Sequence, residues 1–286
     1  MAPVEPIGVS TFKEVFEAVE KETCKYGLIP IENSVSGTLH VMYDHLIRSN
    51  LHIVGECAAI EHHCLCVVPG TNRTDVVRIF SHPVILEQCE AYINALEMKR
   101  ERPIQRVASW DSSGACADVK APTNASSSAA IASRTAAEYH KLEIIEEGIG
   151  NELNNETRYL ILAAQATPRV HSSHLLKSSI AIAAPNEPGA LFKIVAAFAL
   201  RNLSVLKIES RPASTAAESA GSRHWDYIFY VDYEPSSNAK TNQRLVENLK
   251  EHALWIRELG HYCQNLTPTA VEEPRWHQVQ ELAGYS

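Results

Sequence analysis

The sequence predicts an α/β protein in two parts: an N-terminal domain of alternating helices and strands, and a C-terminal α+β domain with the βαββαβ order of ferredoxin-like folds. Three observations carry this prediction. Amphipathic helices and short apolar strands take turns over residues 1–165, a polar run without a sustained period (ATPRVHSSHLLKS) follows, and strand and helix patterns then resume in the split order. A chain of 286 residues, 45% hydrophobic and 21% charged, can bury a sizeable core, and at this length more often forms two domains than one.

The first helix is TFKEVFEAVEK, where Phe12, Val15, Phe16 and Val19 share a face and Thr11 with Glu14 forms a capping-box start. It stops at Gly27. YGLIPIENS reads as a buried strand running into a polar turn, and Leu39, Met42, Tyr43, Leu46 and Ile47 mark a second amphipathic helix. LHIVGEC and HCLCVVP are strand patterns. Pro83 opens a helix over Val84 to Leu96, SSAAIASRTAAEYH reads as another helix, and LEIIEEG and TRYLILAAQ close the series as strands. After the polar run come the strand IAIAAP, the helix EPGALFKIVAAFALR, the strands LSVLKIESR and HWDYIFYVDYE, the helix TNQRLVENLKEHA and the strand WIRELGHY. The expected boundaries are 1–165 for the first domain, 166–178 for a linker, 179–266 for the second domain and 267–286 for a tail without pattern.

Composition narrows the function classes. A formal net charge of -8 with no Lys/Arg run argues against nucleic acid as a partner, because neutralising phosphates needs a basic stripe. A small-molecule ligand fits better. No apolar run approaches the ~20 residues that span a bilayer, and MAPVEPIGVS has neither a basic start nor an apolar stretch, so no membrane partner is expected. The seven cysteines are never spaced as CxxC and sit mostly in apolar patterns, which reads as buried thiols in a reducing, cytoplasmic compartment.

Four stretches can carry chemistry. In IPIENSVSG, a strand ends in Glu32, Asn33 and Ser34 just before a helix, where free N–H groups and small polar side chains suit a carboxylate or phosphate; helix capping explains the same residues. Ser81 before His82 and Pro83 is a natural helix start, with Gln88 two turns on, and DSSG presents Ser112 at another. EHHCLC brings His and Cys together, but strand alternation sends His62, Cys64 and Cys66 to one face and His63 and Leu65 to the other, so no metal site is expected. In NNETRYLIL, Thr157 suits a strand without further reason. Arg158 beside an apolar run must meet an acid, a carboxylate ligand or solvent.

Read together and in order, YGLIPIENSVSG, IVGE with HHCLCVVPG, SHPVILEQC, AAIASRTAAEYH and NETRYLIL resemble the prephenate dehydratase family, and arogenate dehydratases share nearly all of these patterns. NEPGALFKIVAAFALRNLSVLKIESRP with YIFYVDYE resembles the ACT regulatory domain of the same family. The resemblance implies a two-lobed catalytic domain similar to periplasmic binding proteins, followed by the ACT domain. It implies a carbon–oxygen lyase without metal or organic cofactor, acting in phenylalanine biosynthesis. Thr157 corresponds to the essential threonine of the family's TRF motif, in which Tyr159 stands for the usual phenylalanine. Glu32, Asn33, Ser34, Ser81, Gln88, Ser112 and Arg158 would then bind and orient the substrate, prephenate or arogenate. Regulation by L-phenylalanine is implied at Asn186, Pro188, Gly189, Ala190 and Leu191 with Glu209, Ser210 and Arg211, in a homodimer or homotetramer. The family opens with a strand and a GPxGT-type loop, and this sequence begins beyond them at IGVSTFKEVFEAVE, so an N-terminally truncated catalytic domain is expected, with the plastid stroma as the compartment if a transit peptide is missing too. Three functions stay open: prephenate dehydratase, arogenate dehydratase, and an amino-acid sensor that has lost turnover.

Overall fold

The computed structural model describes residues 5–152, 154–166, 176–213 and 226–264. The tail at 267–286 and most of the expected linker lie outside them. The described chain forms two compact units, one from residues 5–32, 38–58 and the described parts of 158–264, the other from 33–37 and 59–157. The chain passes between them several times, so the expected division at 166–178 is not the one along which it clusters.

In the first unit, α1 (Phe12–Glu20) buries Phe16 and Val19, as its periodicity predicts. Thr11 accepts from the Glu14 N–H at 3.3 Å, while the Glu14 carboxylate reaches back to the Ser10 N–H at 2.9 Å, a capping box shifted by one residue. The strands β1 (Gly27–Asn33), β2 (Gly37–Thr38), β3 (His52–Ile60) and β9 (Glu156–Ala163) make a sheet in the order β2-β1-β9-β3, with α2 (His40–Arg48) connecting β2 to β3. A second sheet holds β10 (Leu176–Ala183), β11 (Val205–Pro212), β12 (Tyr227–Tyr233) and β13 (Trp255–Cys263) in the antiparallel order β11-β12-β10-β13. With α7 (Ala190–Ala199) after β10 and α8 (Ala239–His252) after β12, this is the expected βαββαβ fold. One core joins Ile29, Ile31, Leu160 and Leu162 to Ala181, Ile228, Tyr230 and Tyr262. Another packs Ile180, Ile182 and Val231 on Ile194, Phe198, Leu245 and Leu249 of the two helices.

β10 begins inside the expected linker. Lys177 and Ser178 read as linker in sequence, yet both are buried and partnered, so their polarity hid the start of the strand.

The second unit is built on β4 (Cys64–Val67), β5 (Arg78–Ser81), β6 (Gln105–Ala108), β7 (Ser128–Ala132) and β8 (Glu143–Glu147), in the order β6-β5-β7-β4-β8. β5 runs parallel to β6 and β7, and β4 antiparallel to β7 and β8. SSAAIASRTAAEYH is not one helix. Its first part is the fully buried central strand β7, Ser133 caps the nitrogen of Ala136, and only α6 (Arg134–Tyr139) is helical. A central strand buried on both faces loses the alternation that marks strands in a sequence, and its alanines imitate a helix. The helix after Pro83 likewise divides at Cys89 into α3 (Pro83–Gln88) and α4 (Glu90–Arg100). Asp111 caps α5 (Ser112–Val119) through the Gly114 N–H at 2.6 Å.

Candidate active site

Along β9 successive side chains alternate in direction, so Thr157 and Arg158 cannot share a partner set. The structure gives each its own. Thr157 is 4% exposed and belongs to a network wholly inside the second unit. Asn33, the last residue of β1, donates from Nδ2 to Thr157 Oγ1 at 2.9 Å and to Asn155 Oδ1 at 2.7 Å. Its Oδ1 accepts from the N–H groups of Val35 and Ser36 and, at 3.4 Å, from Gln88 Nε2. Every hydrogen-bonding position of the Asn33 amide is thereby used, which fixes its rotamer and with it the donor offered to Thr157.

Gln88, at the end of α3, donates to Ser36 Oγ at 2.7 Å and accepts from Asn155 Nδ2 at 3.0 Å; His63 Nε2 lies 2.9 Å from the same Gln88 oxygen. Burial pushes His63 below its ordinary value, outweighing the opposing pull of Gln88 and Glu61, so the imidazole is neutral at physiological pH. Glu61, between β3 and β4, accepts the Thr157 hydroxyl proton, and its backbone N–H is held by the Asn155 carbonyl at 2.8 Å. Ser34, exposed, donates to the Asn154 carbonyl and accepts from the Glu156 N–H.

Asn33, Gln88 and Thr157 thus meet, with Ser34 at the rim. Ser81 is fully buried and its hydroxyl donates to the Ile131 carbonyl at 2.7 Å, a bond within the β5–β7 layer. Ser112 opens α5 and its carbonyl receives the Cys116 thiol. Glu61, His63, Ser36 and Asn155 join the network although none of them is among the site residues expected from sequence. The NNETR and EHH stretches contained the signal: polar residues at the ends of apolar strands, where a sheet delivers side chains to a common edge.

Arg158 and Glu32 lie in the first unit. The Arg158 guanidinium meets Glu32 and Glu56 at 3.1 Å and Asp232 at 3.2 Å. Lys177 lies 2.8 Å from Glu56, and Lys207 2.6 Å from Glu32, so three cations face three carboxylates. Burial works against the charge on Arg158, but Asp232 and its neighbours outweigh it and hold the guanidinium above its ordinary value. Glu32 is also opposed by burial, and the Lys207 and Arg158 contacts bring its carboxyl below the usual range.

The residues expected to bind an effector divide. Asn186, Pro188, Gly189 and Leu191 are exposed at the start of α7, where Gly189 takes a left-handed φ of 80°, and Ala190 is buried. On β11, Ser210 is exposed; Glu209 pairs with His40 at 3.2 Å and Arg211 forks onto Asp44 at 2.7 and 3.1 Å. Among the described residues no group of three or more His, Cys, Asp or Glu is arranged for a metal ion, and no helix is long and apolar enough to cross a membrane.

Comparison with known proteins adds the family. The chain is 39% identical over 266 residues to arogenate dehydratase/prephenate dehydratase 2, chloroplastic, of Arabidopsis thaliana, covering 92% of this chain and 68% of that protein. To arogenate dehydratase/prephenate dehydratase 6, chloroplastic, of the same plant it is 38% identical, covering 90% of this chain and 62% of that protein. The chain therefore spans about two thirds of the length of these relatives. Among solved structures, the prephenate dehydratase from Arthrobacter aurescens in complex with L-Phe superposes with a TM-score of 0.78 at 22% identity, over 97% of this chain and 88% of that one. GqqA, described as a novel type of quorum quenching acylase, superposes with a TM-score of 0.75 at 25% identity, over 90% and 88%. With residues 1–167 matching the family model for prephenate dehydratase, the chain belongs to the prephenate dehydratase family.

Proposed function

We propose that this chain is a dehydratase that converts prephenate to phenylpyruvate, with arogenate to phenylalanine as the alternative reaction. The observation that carries the reading is the Thr157 hydroxyl, buried and held by Asn33 in a network with Asn155 and Gln88. Both substrates become aromatic on losing carbon dioxide and water, so the driving force lies in the substrate and the protein has to help a hydroxyl leave. A positioned donor does this, and Thr157 is that donor. Asn33, Ser34 and Gln88 supply fixed hydrogen bonds around it, and removing one such donor costs on the order of 2–4 kcal/mol in a transition state. Arg158 and Glu32, engaged with each other and with Glu56, Asp232 and Lys207, serve the reading as the anchor of the strands that carry Thr157 and Asn33.

L-Phenylalanine is the effector in this reading, as the ligand of the Arthrobacter structure suggests. Asn186, Pro188, Gly189, Ala190 and Leu191 at the start of α7, with Glu209, Ser210 and Arg211 on β11, are its contacts, in a homodimer or homotetramer. The chloroplastic names of the plant relatives support the plastid stroma beside the cytoplasm as the compartment.

The test is to incubate the chain with prephenate and with arogenate, and to follow phenylpyruvate and phenylalanine separately. Wild type turns over at least one of them and Thr157→Ala falls by about 100-fold or more. Equal rates in the two proteins would remove Thr157 from the mechanism. No turnover of either substrate, together with phenylalanine binding in calorimetry, would point to the sensor.

A further inference from the structure

β1 turns into β2 through Ser34, Val35 and Ser36, and the Leu39 N–H closes the hairpin on the Ile31 carbonyl at 3.0 Å. This turn aims Asn33. Asn33 Oδ1 accepts from the Val35 and Ser36 N–H groups at 3.0 and 2.8 Å, so the turn's shape sets where Nδ2 meets Thr157 Oγ1. The residues that flank the turn, Glu32 and Thr38, share a partner outside the hairpin. Lys207 Nζ donates to Glu32 Oε1 at 2.6 Å and to Thr38 Oγ1 at 2.9 Å. The other Glu32 oxygen is taken by Arg158 at 3.1 Å, from the strand of Thr157, whereas Lys207 spans the hairpin from β1 to β2. Neutralising Glu32 would not require the bond to Thr38. That second bond makes the contact a clamp.

Lys207 lies on β11, in the ferredoxin-like half, and its neighbours hold the strand in place. Lys207, Glu209 and Arg211 alternate onto one face. Glu209 pairs with His40 at 3.2 Å and lies 4.0 Å from Lys207, and Arg211 forks onto Asp44; His40 and Asp44 belong to α2, which follows β2. The Lys207 side chain is 15% exposed, so its ammonium is held at the hairpin rather than free in solvent.

We propose that Lys207 is a positioning residue for dehydration: by holding Glu32 and Thr38 together it keeps the turn between them closed, and the closed turn keeps the Asn33 amide on Thr157. The proposal rests on the dehydratase reading above and gives the ferredoxin-like half a part in aligning the reacting hydroxyl. Without the ammonium the flanks of the turn part, the Val35 and Ser36 N–H groups leave Asn33 Oδ1, and the amide is free to rotate away from Thr157.

Lys207→Met keeps the stem of the side chain and removes the ammonium. Thr38→Val keeps the shape of threonine and removes the hydroxyl, leaving the Lys207–Glu32 pair in place. With whichever of prephenate and arogenate the wild type turns over, kcat is expected to fall about 10-fold in Lys207→Met and about threefold in Thr38→Val. KM changes less than about twofold in both, because alignment rather than binding is lost. Thr38→Ser, which keeps the hydroxyl, retains the wild-type rate. Hydrogen exchange read by mass spectrometry should be faster over residues 33–37 in Lys207→Met and Thr38→Val than in wild type. Asp44→Asn loosens the same strand at Arg211 and leaves the clamp intact, so its kcat stays within about twofold of wild type. Far-UV circular dichroism checks folding, and if Lys207→Met unfolds, the two Thr38 variants carry the test. Wild-type turnover with kcat and exchange unmoved in the Lys207 and Thr38 variants overturns the proposal alone. A lower kcat without faster exchange also overturns it, since the turn would then not be the route. So does an equal loss of kcat in Asp44→Asn, because the docking of the whole strand would then matter rather than the clamp. Absence of wild-type turnover with both substrates overturns the dehydratase reading and this proposal with it.

Discussion

Glu56 has no solvent-exposed side-chain surface and Lys177 only 4%, which makes their contact at 2.8 Å a buried ion pair that depends on both members. Taking two charges out of water costs several kcal/mol each, and a pair offsets this only while partners surround it. Arg158 alone cannot replace the lysine, since its guanidinium is shared with Glu32 and Asp232. Lys177→Met is therefore expected to destabilise the protein by about 3 kcal/mol, read as a lower urea midpoint, because it leaves Glu56 buried with half its charge compensation gone. Adding Glu56→Leu should recover most of that loss. A double variant no better than the single one would show that the pair is not the unit of stability. The neighbouring residues explain why Arg158 could not be assigned from sequence. A guanidinium beside an apolar strand signals an acid somewhere, but one of its carboxylates, Asp232, is 74 positions away, and no local pattern names it.

At the scale of strands, the close approach of β13 to β3 depends on a residue with no side chain. A Cβ built on Gly260 would lie 2.0 Å from the Ile53 carbonyl oxygen, a backbone atom that cannot swing aside. Gly260→Ala should accordingly push the two strands apart and cost about 3 kcal/mol, at the upper end of overpacking penalties, with the thermal midpoint as the readout. Gly8→Ala, where the added methyl meets nothing within 4 Å, is the neutral comparison. An unchanged midpoint in Gly260→Ala would mean that the strands do not approach so closely. Periodicity made α1, α2 and β1 legible, because each buries one face and leaves the other more open. It did not reach β7, buried throughout, or the start of β10, whose buried polar residues are matched by partners distant in sequence. The candidate site was legible in part for the same reason: Asn33, Gln88 and Thr157 stand at element ends within recognisable motifs, whereas Glu61 gains its meaning from the fold that brings it to Thr157, and Asn155 from its bonds to Asn33, His63 and Gln88.

For the molecule as a whole, the perturbed groups act in one direction as pH falls. Burial holds His63 and His45 below their ordinary value of 6.5. An imidazole with a depressed folded value stays neutral while the unfolded chain takes up a proton, so its contribution to stability is complete above 6.5 and is lost as pH falls through the folded value. Glu32, brought below 4.5 by Lys207 and Arg158 against the cost of burial, adds a second loss at lower pH, present above 4.5 and removed as the carboxyl protonates. Stability should therefore decline in two stages on acidification, the first beginning near pH 6.5 and the second below pH 4.5. The first stage belongs chiefly to His63, which is buried in the Thr157 network while His45 is partly solvated. His63→Gln replaces the imidazole with a group that cannot titrate, and its urea midpoint should change less than that of wild type between pH 7.5 and pH 5. The same comparison with His45→Gln should leave most of the first stage in place. Parallel curves for wild type and His63→Gln would mean that this imidazole is solvated enough to titrate normally, and with it that the network around Thr157 is open to water rather than closed.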